Sequence, residues 1–149
     1  MSGFGDRTTG ETLDTGLGDQ ATNLQKITDL KVISNKDCQS FYNKWHKKHL
    51  SYNFYLQKTM ICSMTGKDKK TPCFGDSGSA MMLETDKAGQ HVLIGLVAFG
   101  AECGHPEVPA VYARVTTVLP WIWSIVEDEN LCLPPGVVLN AEEKLKRST

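Results

Sequence analysis

The sequence has no long apolar run. The longest, Val92–Ala101 (VLIGLVAFGA), contains two glycines and stops well short of the ~18 residues that a helical membrane span needs. It reads as buried strand. A dominant charge is missing too: the formal net charge is −1, so neither nucleic acid nor a membrane is expected as a partner. The five cysteines (Cys38, Cys62, Cys73, Cys103, Cys132) form no Cys-x-x-Cys pair, there is no His-Glu-x-x-His, and His46, His49, His91 and His105 do not fall at metal-ligand spacing. A structural zinc site is therefore disfavoured, and neither metal nor cofactor is expected. Isolated cysteines in a small strand-rich chain fit disulfides, hence an oxidising compartment. The opening MSGFGDRTTG has neither the basic start nor the apolar stretch of a signal peptide. Alone, that suggests a cytosolic protein or a chain whose N-terminal part lies elsewhere.

What is present is a series of short apolar segments separated by turn residues. The 149 residues suit one domain. Residues 3–24 are rich in Gly, Thr and Asp and read as a long exposed loop. Leu24–Ser34 alternates roughly and carries β-branched residues, which predicts one strand. A short helix follows, with Ser34 as its cap and Asp37 in its first turn. Lys44–Asn53 (KWHKKHLSYN) is basic and aromatic; it can bind a polyanion, but a solvated loop is the favoured reading. TMICSM, Ser79–Glu84, His91–Phe99 and Ala110–Val115 read as strands, with a hairpin tip at Glu84–Gly89. Val118–Glu129 reads as a helix with Pro120 in its first turn. The sum is an all-β, antiparallel barrel or sandwich.

One stretch carries chemistry: TPCFGDSGSAMM, Thr71–Met82. Ser77 stands between Asp76 and Gly78, with Gly75 two residues before it. Glycines permit the backbone torsions of a tight turn that exposes a nucleophilic oxygen. The N–H groups of Gly75 and Ser77 can converge on one point as an oxyanion hole. Asp76 is adjacent to Ser77 and is poorly placed to be its base; a buried carboxylate there calls for a cation as partner. Gly-Asp-Ser-Gly alone is also compatible with a plain turn.

With SGFG, VISNKDC…Y, MIC, CFGDSGS and LIGLVAFGAEC…PAVYARV…WI occurring in this order, the chain resembles the chymotrypsin/trypsin family of serine proteases from about Ser2 to Ile125. The resemblance implies a six-stranded antiparallel β-barrel, the second of that fold's two, with its first strand truncated and a C-terminal helix. It would occupy residues 1–131, leaving 132–149 as a flexible tail. It assigns Ser77 as nucleophile, Gly75 and Ser77 as oxyanion donors, and Asp76 as the aspartate that receives the N-terminal ammonium released on activation. Disulfides Cys38–Cys62 and Cys73–Cys103 are implied, with Cys132 left for a partner outside this chain or as a free thiol. Thr71 falls at the floor of the specificity pocket, with Gly100 and Ala110 as its walls and Phe99 lining the cleft. No carboxylate at the floor means apolar side chains are favoured over Arg or Lys, although Glu102 near the rim can attract a basic one. The family's setting implies an extracellular, secreted protein acting on a polypeptide substrate or inhibitor.

Departures from the family pattern are also legible. Ser79-Ala80 stands where Gly-Pro is usual, Ala98 replaces a serine beneath the catalytic histidine, and Phe99 replaces a tryptophan. The histidine and aspartate of the triad belong to the first barrel, and no stretch like theirs is present. Neither His91 nor His105 is placed by the resemblance near Ser77. A serine without its base is a weak nucleophile, so this chain alone is expected to be inactive. It is read as the C-terminal portion of a serine endopeptidase, whose missing half is a candidate partner through Cys132. The alternatives are a catalytically silent homologue that binds peptides and a polyanion-binding protein using Lys44–His49.

Overall fold

The structure, a computed structural model, describes residues 1–5, 23–49, 54–65, 70–85, 89–100, 103 and 107–126. Glu102, His105, Cys132 and the tail lie outside these residues. The strands are β1 (Ser2–Gly3), β2 (Gln25–Lys26), β3 (Lys31–Ile33), β4 (Met60–Met64), β5 (Ala80–Glu84), β6 (His91–Phe99) and β7 (Ala110–Arg114). The helices are α1 (Asn35–His49) and α2 (Leu119–Ile125). Every pairing is antiparallel: β1 with β2, and a five-stranded sheet in the order β3-β4-β7-β6-β5. This is the all-β arrangement of the chymotrypsin-like fold. Although β1 lies against β5, no ladder joins them, so the barrel is not closed among the described residues.

The predicted strand Leu24–Ser34 is in fact two, β2 and β3, separated at Asp29, which adopts a φ of 59°. Aspartate tolerates this left-handed conformation better than most residues, and it re-aims the chain from the small sheet to the large one. The β5–β6 hairpin forms as read. Glu84 pairs with His91, Thr85 N–H donates to Gln90 O at 3.1 Å, and Gly89 takes a φ of 80°.

Helix α1 starts where predicted: Ser34 Oγ accepts from Asp37 N–H at 3.1 Å and donates to Asp37 Oδ2 at 2.6 Å. It does not end where predicted. The segment Lys44–His49, read as loop, continues the helix. The reason is a stripe at i, i+4 and i+7: Cys38 and Tyr42 are buried, and Trp45 packs on the same cluster with Val108 and Val111. Tertiary burial outweighs a polar local composition.

A second cluster, Ile27, Ile61, Met81, Val97, Ala110 and Tyr112, fills the space between the sheets. Arg114 ties the helix start to the large sheet. Its Nε donates to Lys58 O and Met60 O at 3.2 and 3.1 Å, and its Nη2 donates to Met60 O and Asn35 Oδ1 at 2.8 and 3.1 Å. Asn35 Nδ2 in turn donates to Gln57 O and Met60 O. Arg114→Met is expected to cost about 1.5–3 kcal/mol, the range for hydrogen bonds to a charged group. Urea unfolding of the oxidised protein measures it; a shift below about 0.5 kcal/mol would leave the network without energetic weight.

Candidate active site

Residues 71–79 form a loop that enters β5, and its shape follows from its glycines. Gly75 has a φ of +90° and Gly78 a φ of +81°, conformations that side chains resist. The turn is closed by Asp76 N–H to Cys73 O at 3.0 Å and by Ser79 N–H to Asp76 O at 2.9 Å. Gly78 N–H then donates to Val97 O, and Val97 N–H to Ser79 O, which stitches the loop to β6. Ser77 projects from the tip and is exposed, while Asp76 beside it is buried at 6% exposure. Among the described residues, the N–H groups of Gly75 and Ser77 make no hydrogen bond, so both remain available to an incoming acceptor.

Asp76 accepts two backbone hydrogen bonds. Its Oδ1 accepts from Gly5 N–H at 2.8 Å and its Oδ2 from Cys73 N–H at 3.0 Å. No cation is paired with it among the described residues. Both hydrogen bonds are charge-assisted and come from backbone N–H groups. Gly3 and Gly5 make this possible, because a Cβ at either would overlap the Asp76 carboxylate. Glycines two apart in SGFG mark a strand that another group approaches closely.

Of the remaining predicted residues, Phe99 and Ala110 lie at one end of the large sheet. Phe99 ends β6 opposite Val111, next to Ala110 at the start of β7, and a register shift between Val97 and Phe99 bulges the strand at Ala98. Ala110 is buried, Thr71 is partly buried and Gly100 is exposed. The Cys73–Cys103 disulfide joins the Ser77 loop to the segment after Gly100, and Cys38–Cys62 joins α1 to β4. Phe99 is 37% exposed and meets Phe54 edge-on at 5.2 Å between centroids, with Tyr42 at 6.3 Å. These rings form an aromatic cluster at the end of β6.

One buried group was missed by sequence reasoning. The Tyr112 hydroxyl lies 2.8 Å from Ser63 Oγ, with both residues buried. Burial pushes the Tyr112 pKa up to about 12, against the pull of the Ser63 hydrogen bond and aided by the Asp76 charge. Below pH 10 the phenol is neutral in folded and unfolded chains, so its contribution is fully present. Between pH 10 and 12 only the unfolded chain ionises, and stability is expected to fall by about 2–3 kcal/mol. Urea unfolding at rising pH tests this; an equal loss in Tyr112→Phe would place the cause elsewhere.

His91 does not approach Ser77. His91 sits at the hairpin end of β6, paired with Glu84. Val97, which contacts the Ser77 loop, is six residues further along the strand, or about 20 Å.

Comparison with known proteins agrees with this loop and sheet: residues 2–122 match the family described as Trypsin. The chain belongs to the trypsin family. It is 30% identical over 117 residues to the clotting factor G beta subunit of Tachypleus tridentatus, covering 78% of this chain and 37% of that protein. It is 33% identical over 113 residues to the proclotting enzyme of the same organism, covering 72% of this chain and 28% of that protein. It is 35% identical over 103 residues to the inactive CLIP domain-containing serine protease A3 of Aedes aegypti, covering 69% and 21%. This trypsin-family chain thus spans between about a fifth and two-fifths of the curated relatives it matches.

Proposed function

We propose that this chain carries the nucleophile half of a serine endopeptidase. Ser77 attacks the scissile carbonyl, and the N–H groups of Gly75 and Ser77 receive the developing oxyanion. The observation that carries the reading is the loop itself. An exposed serine sits between two glycines of positive φ, with its own N–H and that of Gly75 unengaged and its neighbour Asp76 anchored below. Phe99, Gly100, Ala110 and Thr71 form a neutral pocket that takes apolar side chains in preference to Arg or Lys. Asp76 acts as the positioning carboxylate for the loop. The general base is supplied by a first half of the protease, which would cover Leu83, Trp121 and Ile125, exposed at 56%, 66% and 63%. Without that half the chain is inactive. The two disulfides, Cys38–Cys62 and Cys73–Cys103, favour a secreted protein.

A second reading is supported by similarity to a relative described as inactive: a silent homologue that holds a peptide or inhibitor in the same cleft without turnover. A fluorophosphonate probe applied to native source material separates the two. Labelling mapped to Ser77 in a larger or disulfide-linked species supports the protease. A folded species containing these residues that stays unlabelled while still binding substrate-like peptides would favour the silent homologue.

A further inference from the structure

Phe99 does not stand alone at the end of β6, and what holds its neighbours lies on helix α1. The segment Phe54–Leu56 belongs to no strand among the described residues, yet its backbone is paired. Gln39 Nε2 donates to Phe54 O at 2.6 Å, and Gln39 Oε1 accepts from Leu56 N–H at 2.7 Å. The same Nε2 donates to Asn43 Oδ1, one turn further along the helix, at 2.8 Å. One side-chain amide thus bonds the C=O and the N–H on either side of Tyr55, the pattern that a residue of a neighbouring parallel strand makes. The partners fix the orientation of the amide, because a backbone N–H only donates and a C=O only accepts.

This clamp decides which way the segment faces. Burial alternates along it as it does along a strand. Phe54 and Leu56 pack against the cluster of Cys38, Tyr42 and Val111, while Tyr55 between them is 68% exposed. With Phe54 so placed, its ring meets Phe99 at 5.2 Å and an interplanar angle of 85°, and Tyr42 at 5.1 Å. Phe99 itself remains exposed. A ring braced edge-on by a fixed neighbour presents a rigid apolar surface. Without the brace, rotation about its side-chain torsions costs less and the surface is no longer set.

We infer that Gln39 is a positioning residue for substrate recognition: by clamping Phe54 it holds Phe99 as a rigid apolar platform for a substrate side chain upstream of the one in the pocket. The inference rests on the proposed reading of Phe99 as a cleft residue beside Gly100 and Ala110. The Ser77 loop leads into β5, whereas Phe99 ends β6 against β7. A side chain laid on Phe99 therefore lies beyond the pocket from the scissile bond. The bonds of Gln39 go to Phe54, Leu56 and Asn43 and not to the Ser77 loop, so its effect falls on binding rather than on the chemical step. A merely structural role would give a loss shared by every substrate.

The test compares two peptides that share one apolar residue for the pocket and differ only in the residues before it, leucines in one and alanines in the other. In the proposed protease, Gln39→Leu is expected to lower kcat/KM for the leucine peptide by about tenfold, chiefly through KM, and for the alanine peptide by about twofold or less. Gln39→Glu keeps an acceptor for Leu56 N–H but lacks the donor for Phe54 O, and it is expected to shift the ratio in the same direction. Amide exchange at Leu56, slow in the unsubstituted protein, is expected to quicken in Gln39→Leu, which ties the loss to the clamp. Should the unsubstituted protein bind both peptides without turnover, the endopeptidase reading fails, and dissociation constants for the same pair decide the inference instead. Equal losses on both peptides, an unchanged ratio in both variants, or peptides handled alike by the unsubstituted protein would overturn it.

Discussion

Ser77→Ala, made in the proposed protease, is expected to lower kcat by about 10⁶-fold, the loss seen when a serine nucleophile that works as a unit with its base is removed. The substitution deletes one oxygen from an exposed position and leaves the loop intact. The bonds from Asp76 N–H to Cys73 O and from Ser79 N–H to Asp76 O are between backbone groups, and both Asp76 carboxylate bonds are to backbone N–H. KM is therefore expected to change little, because the residues proposed to form the pocket, Thr71, Phe99, Gly100 and Ala110, are not touched. The oxyanion donors also survive, so a residual rate about 10³–10⁴ above water remains if the hole is formed. Steady-state kinetics on a peptide with an apolar residue before the scissile bond gives both parameters. Retention of most of the wild-type rate would sink the assignment of Ser77.

Removing the Cys38–Cys62 disulfide is the stability change of largest expected size. The bridge closes a loop across a sequence separation of 24, worth about 3.5 kcal/mol on the loop-entropy account. Both sulfurs are also core, with each residue fully buried beside Tyr42, Val108 and Val111. The double substitution Cys38→Ala, Cys62→Ala thus loses contacts as well as the constraint, and a total of about 2–5 kcal/mol is expected. Against the 5–15 kcal/mol typical of a folded domain, that is a large fraction. It acts where α1 meets β4, so the helix is expected to lose order first. Urea unfolding followed by circular dichroism measures the total, and amide exchange along α1 locates it. A loss under about 1 kcal/mol would mean that Arg114, Asn35 and the Tyr42 stripe hold the helix without the bridge.

The sequence by itself determined the features whose causes are local. The Ser34–Asp37 cap, the β5–β6 hairpin and the strand His91–Phe99 follow from residue types within a few positions of one another, and all were legible. The turn that exposes Ser77 follows from Gly75 and Gly78, and the motifs around it were specific enough to identify the family. Where a cause lay far along the chain, the reading was incomplete. The Lys44–His49 segment is helical because Cys38, Tyr42 and Trp45 have a sheet to pack against, and that sheet is built from residues far along the chain. The break at Asp29 separates two sheets whose partners are Met1–Gly3 and Met60–Met64. The partner of Asp76 is the most distant of these: Gly5 N–H comes from 71 residues away, and a backbone donor leaves no mark of charge in the sequence. Only the tertiary structure could bring these two amides onto the buried carboxylate. Propensity acts over one turn or one strand, whereas desolvation of a charge must be answered by whatever group the fold brings beside it.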